Sequence, residues 1–258
     1  MRIHYMNGAG NDFMILDARG QQLDLCALAI SLCKLTHADG LMAVDDSHIA
    51  DFRLHFYNSD GSRGEMCGNG ARCICRYAYE MGLAGEEMTV QTDAGLISGK
   101  RISENIYRIG INLPSVVDLN RLPGAAYVEL GDPGVPHCVM EIPSLTWDMR
   151  AELLETAVQL RHNSAFPKGA NVNFYTRLDE NTARILTYER YVEDYTLACG
   201  TGSVSLAVTL WKQGKLPSGS LTVKNPGGDL TVNIESDGKN LTALFLEGPT
   251  EITNILEV

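Results

Sequence analysis

Two cysteines stand out for the chemistry their neighbours permit. Residues 67–70 read Cys-Gly-Asn-Gly and residues 199–202 read Cys-Gly-Thr-Gly, each opening a run with helical patterning. Glycines let a backbone approach a ligand closely, and the first N–H groups of a helix have no intrahelical partner. Those groups, with the helix dipole, favour an anion such as a carboxylate. The same field lowers a thiol pKa from its free value of about 8.5, favouring the thiolate near neutral pH. Two thiols in equivalent settings suit a reaction that needs a base on one face of a carbon and an acid on the other. His137 and Glu189 are the side chains suited to helping them: a histidine can polarise a thiol, and a carboxylate can hold or accept its proton. Arg190, next to Glu189, offers a fork for bidentate binding of a carboxylate.

The elements that must carry these residues occur twice. Each tetrad's run closes on a glycine fifteen positions after its cysteine, at Gly82 and Gly214. Met88-Thr89-Val90 answers Leu221-Thr222-Val223, and Asn105–Pro114 answers Asn240–Pro249. Upstream, Phe52-Arg53-Leu54 through Asn58 answers Ala183-Arg184-Ile185 through Glu189, and the offset drifts only from 131 to 135 along these matches. The halves differ where chemistry would be divided: Asn11 stands opposite His137, and Asn58 opposite Glu189. Self-similarity at this scale predicts two copies of one α/β unit, at 1–114 and 115–251, with 252–258 a closing strand that pairs back onto the first half. The central helices are expected over Ala71–Met81 and Val204–Gln213, and further helices over Leu23–Lys34 and Met149–Gln159. Half-buried strands fill the rest. The polar, proline-bearing stretch 114–124 reads as the linker, and Gly134-Val-Pro-His137 reads as a loop.

Composition narrows the function classes. The chain has 258 residues, 45% of them hydrophobic, enough to bury a core in each half. A net charge of −11 argues against nucleic acid or an anionic membrane surface as partner. No apolar run approaches the ~18–20 residues that span a bilayer, and the first residues lack a signal-peptide core, so a cytoplasmic location is expected. The seven cysteines form no secreted disulfide pattern. Cys73-Ile-Cys75 lacks zinc-finger spacing, so no metal is expected, and Cys26, Cys33, Cys73, Cys75 and Cys138 read as small buried hydrophobes. No dinucleotide or phosphate-loop fingerprint occurs, nor an obvious lysine context for a pyridoxal Schiff base.

The motifs GAGNDF (8–13), ADG (38–40), FYNSDGSRGEMCGNGARC (56–73), GVPHCV (134–139), FPKGANVNF (166–174), YERYVEDYTLACGTG (188–202), NPGGDL (225–230) and GP (248–249) extend over nearly the whole length. With them the chain resembles the diaminopimelate epimerases, cofactor-independent amino-acid epimerases. The resemblance implies an α+β fold of two pseudo-symmetric domains, each a curled, mostly antiparallel sheet around a central helix, with the active site in the cleft between them. It implies interconversion of LL- and meso-diaminopimelate for lysine and cell-wall synthesis, with no cofactor and a homodimeric assembly. Carried over by position, Cys67 and Cys199 are the acid/base pair, and His137 and Glu189 tune them. Backbone groups of Gly68, Asn69, Gly200 and Thr201 bind the carboxylate at the reacting carbon. Asn58, Asn171 and Arg190, with Asn11 nearby, hold the distal end of the substrate.

This chain departs from the family pattern at several points. Val135 stands where an asparagine often precedes Pro-His, and Gly40 where a glutamine often follows Ala-Asp. Thr36-His37 replaces a glycine-containing pair, and Tyr191 the glycine that commonly follows Glu-Arg. These changes touch the distal pocket, not the thiols. They keep open a racemase of another amino acid, such as one with a basic or histidine-like side chain, on the same scaffold. A non-catalytic amino-acid-binding or thiol-redox protein is the alternative from a different class; a binder has no need of both thiols.

Overall fold

In the computed structural model, which describes residues 1–64 and 67–257, the chain forms an α+β fold of two compact units. The first comprises residues 1–110 and the segment from Glu247 onward; the second comprises Ile111–Leu246.

The first unit contains β1 (Arg2–Gly8), β2 (Asn11–Asp17), α1 (Leu25–Thr36), β3 (Gly40–Asp45), β4 (Phe52–Asn58), β5 (Arg63–Gly64), α2 (Gly68–Glu80), β6 (Glu87–Thr92), β7 (Gly95–Arg101) and β8 (Ile106–Ile111). β1 pairs antiparallel with β2, β2 parallel with β3, and β3 antiparallel with β4. β4 then pairs parallel with β6, and β6, β7 and β8 continue antiparallel. The two parallel pairs bracket α1 and α2, since a parallel connection needs a crossover.

The second unit contains β9 (Pro114–Leu122), β10 (Ala125–Leu130), β11 (Val135–Glu141), α3 (Arg150–Arg161), β12 (Asn171–Arg177), β13 (Thr182–Glu189), β14 (Asp194–Tyr195), α4 (Gly200–Lys212), β15 (Ser220–Asn225) and β16 (Gly228–Ser236). β17 (Leu241–Pro249) carries the chain back, and β18 (Glu251–Glu257) belongs to the first unit. The pairing sequence repeats: β10 with β11 antiparallel, β11 with β12 parallel, β12 with β13 antiparallel, β13 with β15 parallel, β15 with β16 antiparallel. At the outer flank β9 pairs antiparallel with β10, and β18 does the same with β1.

Each sheet is covered on both faces. In the first unit Ala29, Leu32 and Cys33 of α1 pack with Ile3, Leu16, Leu41 and Ala43. On the other face Gly70 of α2 lies so close to Met42 and Phe13 that a Cβ would collide with Met42. In the second unit Leu153, Ala157 and Leu160 of α3 pack with Tyr127, Val172, Phe174 and Leu186. The central helix α4 is enclosed, ten of its thirteen residues being buried. Double coverage explains why β3 and β10 read as near-continuous apolar runs rather than alternating ones.

Both central helices end alike. Gly82 and Gly214 adopt φ of 67° and 70°, and the following N–H groups reach back, Leu83 to Ala78 O and Lys215 to Leu210 O, each at 2.8 Å. This is the glycine-terminated Schellman arrangement, which satisfies the last carbonyls and is open to glycine because it has no Cβ.

Several expectations are corrected. The stretch 114–124 is not a linker: Pro114–Leu122 is β9, whose Val116, Val117 and Asp118 pair with β10. Proline at a strand's first position costs no ladder bond that the strand needs. His137 lies within β11, not in a loop, opposite Val128 and Asn171. The central helices begin three to four residues earlier than expected, at Gly68 and Gly200, because the tetrad glycines form the first turn. Cys26 is exposed, not buried; it shares the stripe of Ala29 and Cys33 but sits in the first turn of α1, at the end of the helix.

Candidate active site

Cys67 and Cys199 are the N-caps of α2 and α4, with φ/ψ of −125°/119° and −113°/108°. The extended cap conformation lets the chain enter from a strand and turn into the helix, leaving the first N–H groups available. Gly68 and Asn69 form the first turn of α2, and Gly200 and Thr201 that of α4. Each half thus presents a thiol beside a set of helical donors.

The surroundings of the two thiols differ. Around α2 the side chains form a chain of polarised groups. Asp39 Oδ2 accepts from Asn11 Nδ2 at 3.1 Å and from Asp12 N at 2.8 Å. Asn11 Oδ1 accepts from Asn69 Nδ2 at 2.7 Å, and Asn69 Oδ1 accepts from Arg72 Nη2 at 3.0 Å. A carboxylate only accepts and a guanidinium only donates, so both amide orientations are forced. Asn58, at the end of β4, is brought to a neighbouring turn instead, donating to Ser62 Oγ at 2.9 Å; Ser59 N donates to Asp39 O at 3.1 Å.

Around α4, Cys199 accepts from Gly202 N at 3.3 Å and lies 3.6 Å from Thr201 Oγ1. Glu189, at the end of β13, accepts from Thr196 Oγ1 at 2.7 Å. Burial raises the Glu189 pKa, opposed by its hydrogen bonds from Thr196 and Cys199. Burial, then the Glu189 charge, pushes the Cys199 thiol well above its usual range, outweighing the bonds from Thr201 and Gly202 N. The expected thiolate at a helix N-terminus is therefore corrected for Cys199. Burial disfavours the charged thiolate, and the cap's partial charges do not offset it with a carboxylate beside the sulfur.

His137 is fully buried. Asn173 Nδ2 faces Cys138 O at 2.9 Å, Asn171 O at 3.3 Å and His137 Nδ1 at 3.1 Å. Carbonyls only accept, so the amide nitrogen must face them; Nδ1 is then the acceptor and the ring proton sits on Nε2. Nε2 has no hydrogen-bond partner among the described residues. Burial, with the nearby Arg190 charge, lowers the His137 pKa to about 3. At neutral pH the ring is an uncharged donor.

Asn171 Oδ1 accepts from Arg190 N at 2.8 Å, and Arg190 Nη1 donates to Lys168 O at 2.9 Å. Asn171 and Arg190 are thus brought together at the end of β13. The Tyr191 ring lies 4.7 Å from the guanidinium carbon and is 81% exposed. Two departures from the family pattern occupy left-handed backbone, His37 at φ 60° and Tyr191 at φ 72°, where glycine is the usual resident. At Gly40 a Cβ would stand 2.6 Å from Tyr57 O, so the local packing excludes the larger side chain.

Asn173, Thr196, Asp39 and Arg72 were not singled out from sequence. Asn173 carried a usable signal, a polar residue inside the apolar strand run Val172–Tyr175. Thr196 had none, since its role depends on the β13–β14 turn.

A family model for diaminopimelate epimerase matches residues 4–110 and 131–253. The diaminopimelate epimerase of Aquifex aeolicus is 33% identical over 96% of this chain and 94% of its own length. That of Archaeoglobus fulgidus is 33% identical over 94% of this chain and 93% of its own. Among solved structures, a probable proline racemase from Agrobacterium radiobacter has the same fold, with a TM-score of 0.71 at 16% identity, covering 100% of this chain and 92% of that one. A hydroxyproline epimerase from Agrobacterium vitis has a TM-score of 0.69 at 16% identity, covering 99% and 91%. No helix among the described residues is long and apolar enough to cross a membrane. Two duplicated units, each capping its central helix with a cysteine, and relatives matched along nearly the full length lead to one conclusion: the chain belongs to the diaminopimelate epimerase family of isomerases.

Proposed function

We propose that this protein inverts one α-carbon of diaminopimelate, converting the LL to the meso form, by a two-thiol mechanism without a cofactor. The observation that carries this reading is the matched N-cap placement of Cys67 and Cys199 on homologous helices with unlike neighbours. One cysteine, as thiolate, takes the α-proton. The other, as thiol, donates a proton to the opposite face, so one proton leaves the carbon and one arrives. The negative charge that develops between these steps falls on the substrate carboxylate. Donors from Gly68, Asn69, Gly200 and Thr201 stabilise it by preorganised electrostatics. For the reverse direction the two sulfurs exchange protonation states. His137 and Glu189 tune the thiols. Arg190, held by Asn171 and Lys168 O, takes the distal carboxylate, with Asn58 and Asn11 completing the grip.

The enzyme would act in the cytoplasm on a small amino acid, as a homodimer, without nucleic acid or membrane. A racemase of another amino acid is favoured by one observation: Val135, 36% exposed, offers no side-chain amide to a distal group. Incubating the enzyme in D₂O with diaminopimelate and a panel of other amino acids tests both. Deuterium should enter the α-carbon of diaminopimelate, with stereoinversion seen by chiral chromatography. Exchange confined to another amino acid would replace the substrate assignment, and no exchange with any would end the two-thiol reading.

A further inference from the structure

The mechanism above leaves Arg72 unused. Its side chain is fully buried in α2, five residues after Cys67. The guanidinium folds back along the first turn, donating to Gly68 O at 3.3 Å and to Asn69 Oδ1 at 3.0 Å. Its Nε has no hydrogen-bond partner among the described residues. Both of its bonds go to neutral groups, and the nearest carboxylate along its hydrogen-bond chain, Asp39, lies beyond two amides, Asn69 and Asn11. An arginine keeps its proton, and a buried charge is costly unless an opposite charge offsets it. The ionisable group opening the same turn is Cys67. At the equivalent place in the other half, 132 residues on, α4 carries Val204. There the neighbour of the cysteine is the Glu189 carboxylate, where the first half has Asn58.

We propose that Arg72 is the built-in counter-ion of Cys67, a positioning residue that keeps this sulfur a thiolate at rest, while Glu189 keeps Cys199 a thiol. The inference rests on the two-thiol reading and adds an assignment to it: Cys67 is the base of the resting enzyme and Cys199 the acid. Among the described residues, the other ionisable groups around the turn are neutral or held elsewhere. Burial pushes the Cys73 and Cys75 thiols up to about 12, which leaves them neutral. Arg76 donates to Thr250 O at 2.5 Å and faces Glu80 at 3.6 Å. Asp12 accepts from Asn7 Nδ2 at 2.8 Å, and Asp39 is held by Asn11 and Asp12 N. A duplicated scaffold with like thiols would need some such opposed charges to hold one proton between two sites. Arg72 and Glu189 supply them from within each half, before substrate arrives.

The test is iodoacetamide alkylation of the full-length protein across pH, with rates read per cysteine by peptide mass spectrometry. In the wild type Cys67 should react as thiolate at least one pH unit below Cys199. Arg72→Gln should move the Cys67 profile upward by about one pH unit or more and leave that of Cys199 unmoved; Arg72→Lys should largely restore it. A merely structural arginine would lower the unfolding midpoint without moving the Cys67 profile. A wild-type Cys67 that titrates with or above Cys199 overturns the proposal without any variant, so misfolding of Arg72→Gln cannot shield it. Alkylation needs no turnover: loss of the proposal would leave deuterium exchange intact, whereas loss of the two-thiol reading would appear as absent exchange.

Discussion

Gly202 lies against Asn173 so closely that a Cβ on the glycine would stand 2.3 Å from Asn173 Oδ1. Asn173 cannot yield, because Thr187 Oγ1 donates to that oxygen at 3.0 Å and its amide nitrogen is bound to Cys138 O and His137 Nδ1. Gly202→Ala should therefore cost about 2–4 kcal/mol, combining overpacking with a broken buried hydrogen-bond network. At the equivalent Gly70 the collision is with Met42 Cε, the far end of a flexible side chain, so Gly70→Ala should cost about 1–2 kcal/mol. Urea unfolding of both variants checks the ranking; equal losses would mean that Asn173 moves as freely as Met42.

Replacing either thiol should stop inversion. Cys67→Ala and Cys199→Ala are each expected to lower kcat by at least about 10²–10⁴-fold, the usual contribution of a general acid or base. Polarimetry or chiral chromatography with diaminopimelate measures it. Near-wild-type turnover in either variant would remove the two-base mechanism.

The Cys199–Glu189 pair predicts a late-titrating thiol. Because burial and the carboxylate both raise the Cys199 pKa, its alkylation should stay slow through neutral pH and rise only above the ordinary thiol range. Glu189→Gln removes the charge and should bring the onset down. Should the onset stay in place, burial alone would govern this thiol.

His137 ties stability to pH. Burial lowers its folded-state pKa to about 3, against 6.5 for an ordinary imidazole. Above pH 6.5 both states are neutral at this ring and it contributes no pH dependence. As pH falls from 6.5 towards 3 the unfolded state binds a proton that the folded state does not. Stability then drops by up to about 1.4 kcal/mol per pH unit. His137→Asn should show a shallower decline between pH 6 and 4 in urea titrations, although His4, also lowered by burial, still contributes. An unchanged slope would mean that the buried ring takes up a proton without unfolding.

The cysteine tetrads were readable because duplication repeats them in register, and because cysteine followed by glycine at a helix start has few structural uses. The family motifs then placed Asn11, Asn58, Asn171, His137, Glu189 and Arg190. Their environments were another matter. Whether a helix cap lowers a thiol pKa or a carboxylate raises it depends on burial and on Glu189 reaching Cys199, which spacing along the chain does not encode. Pro114 and Pro136 misled for a related reason. Proline marks loops on average, but it is accepted where a strand begins, and only pairing partners reveal that.

The placement of β18 beside β1 bears on the order in which the protein can be completed. The second unit is one continuous stretch, Ile111–Leu246, and has its full set of strands once that stretch has left the ribosome. The first unit is translated earlier, yet it lacks the flanking strand Glu251–Glu257 until synthesis has passed all of the second. Until then the β1 edge is an unpaired template exposed to other nascent chains. The half that emerges first is the half that finishes last.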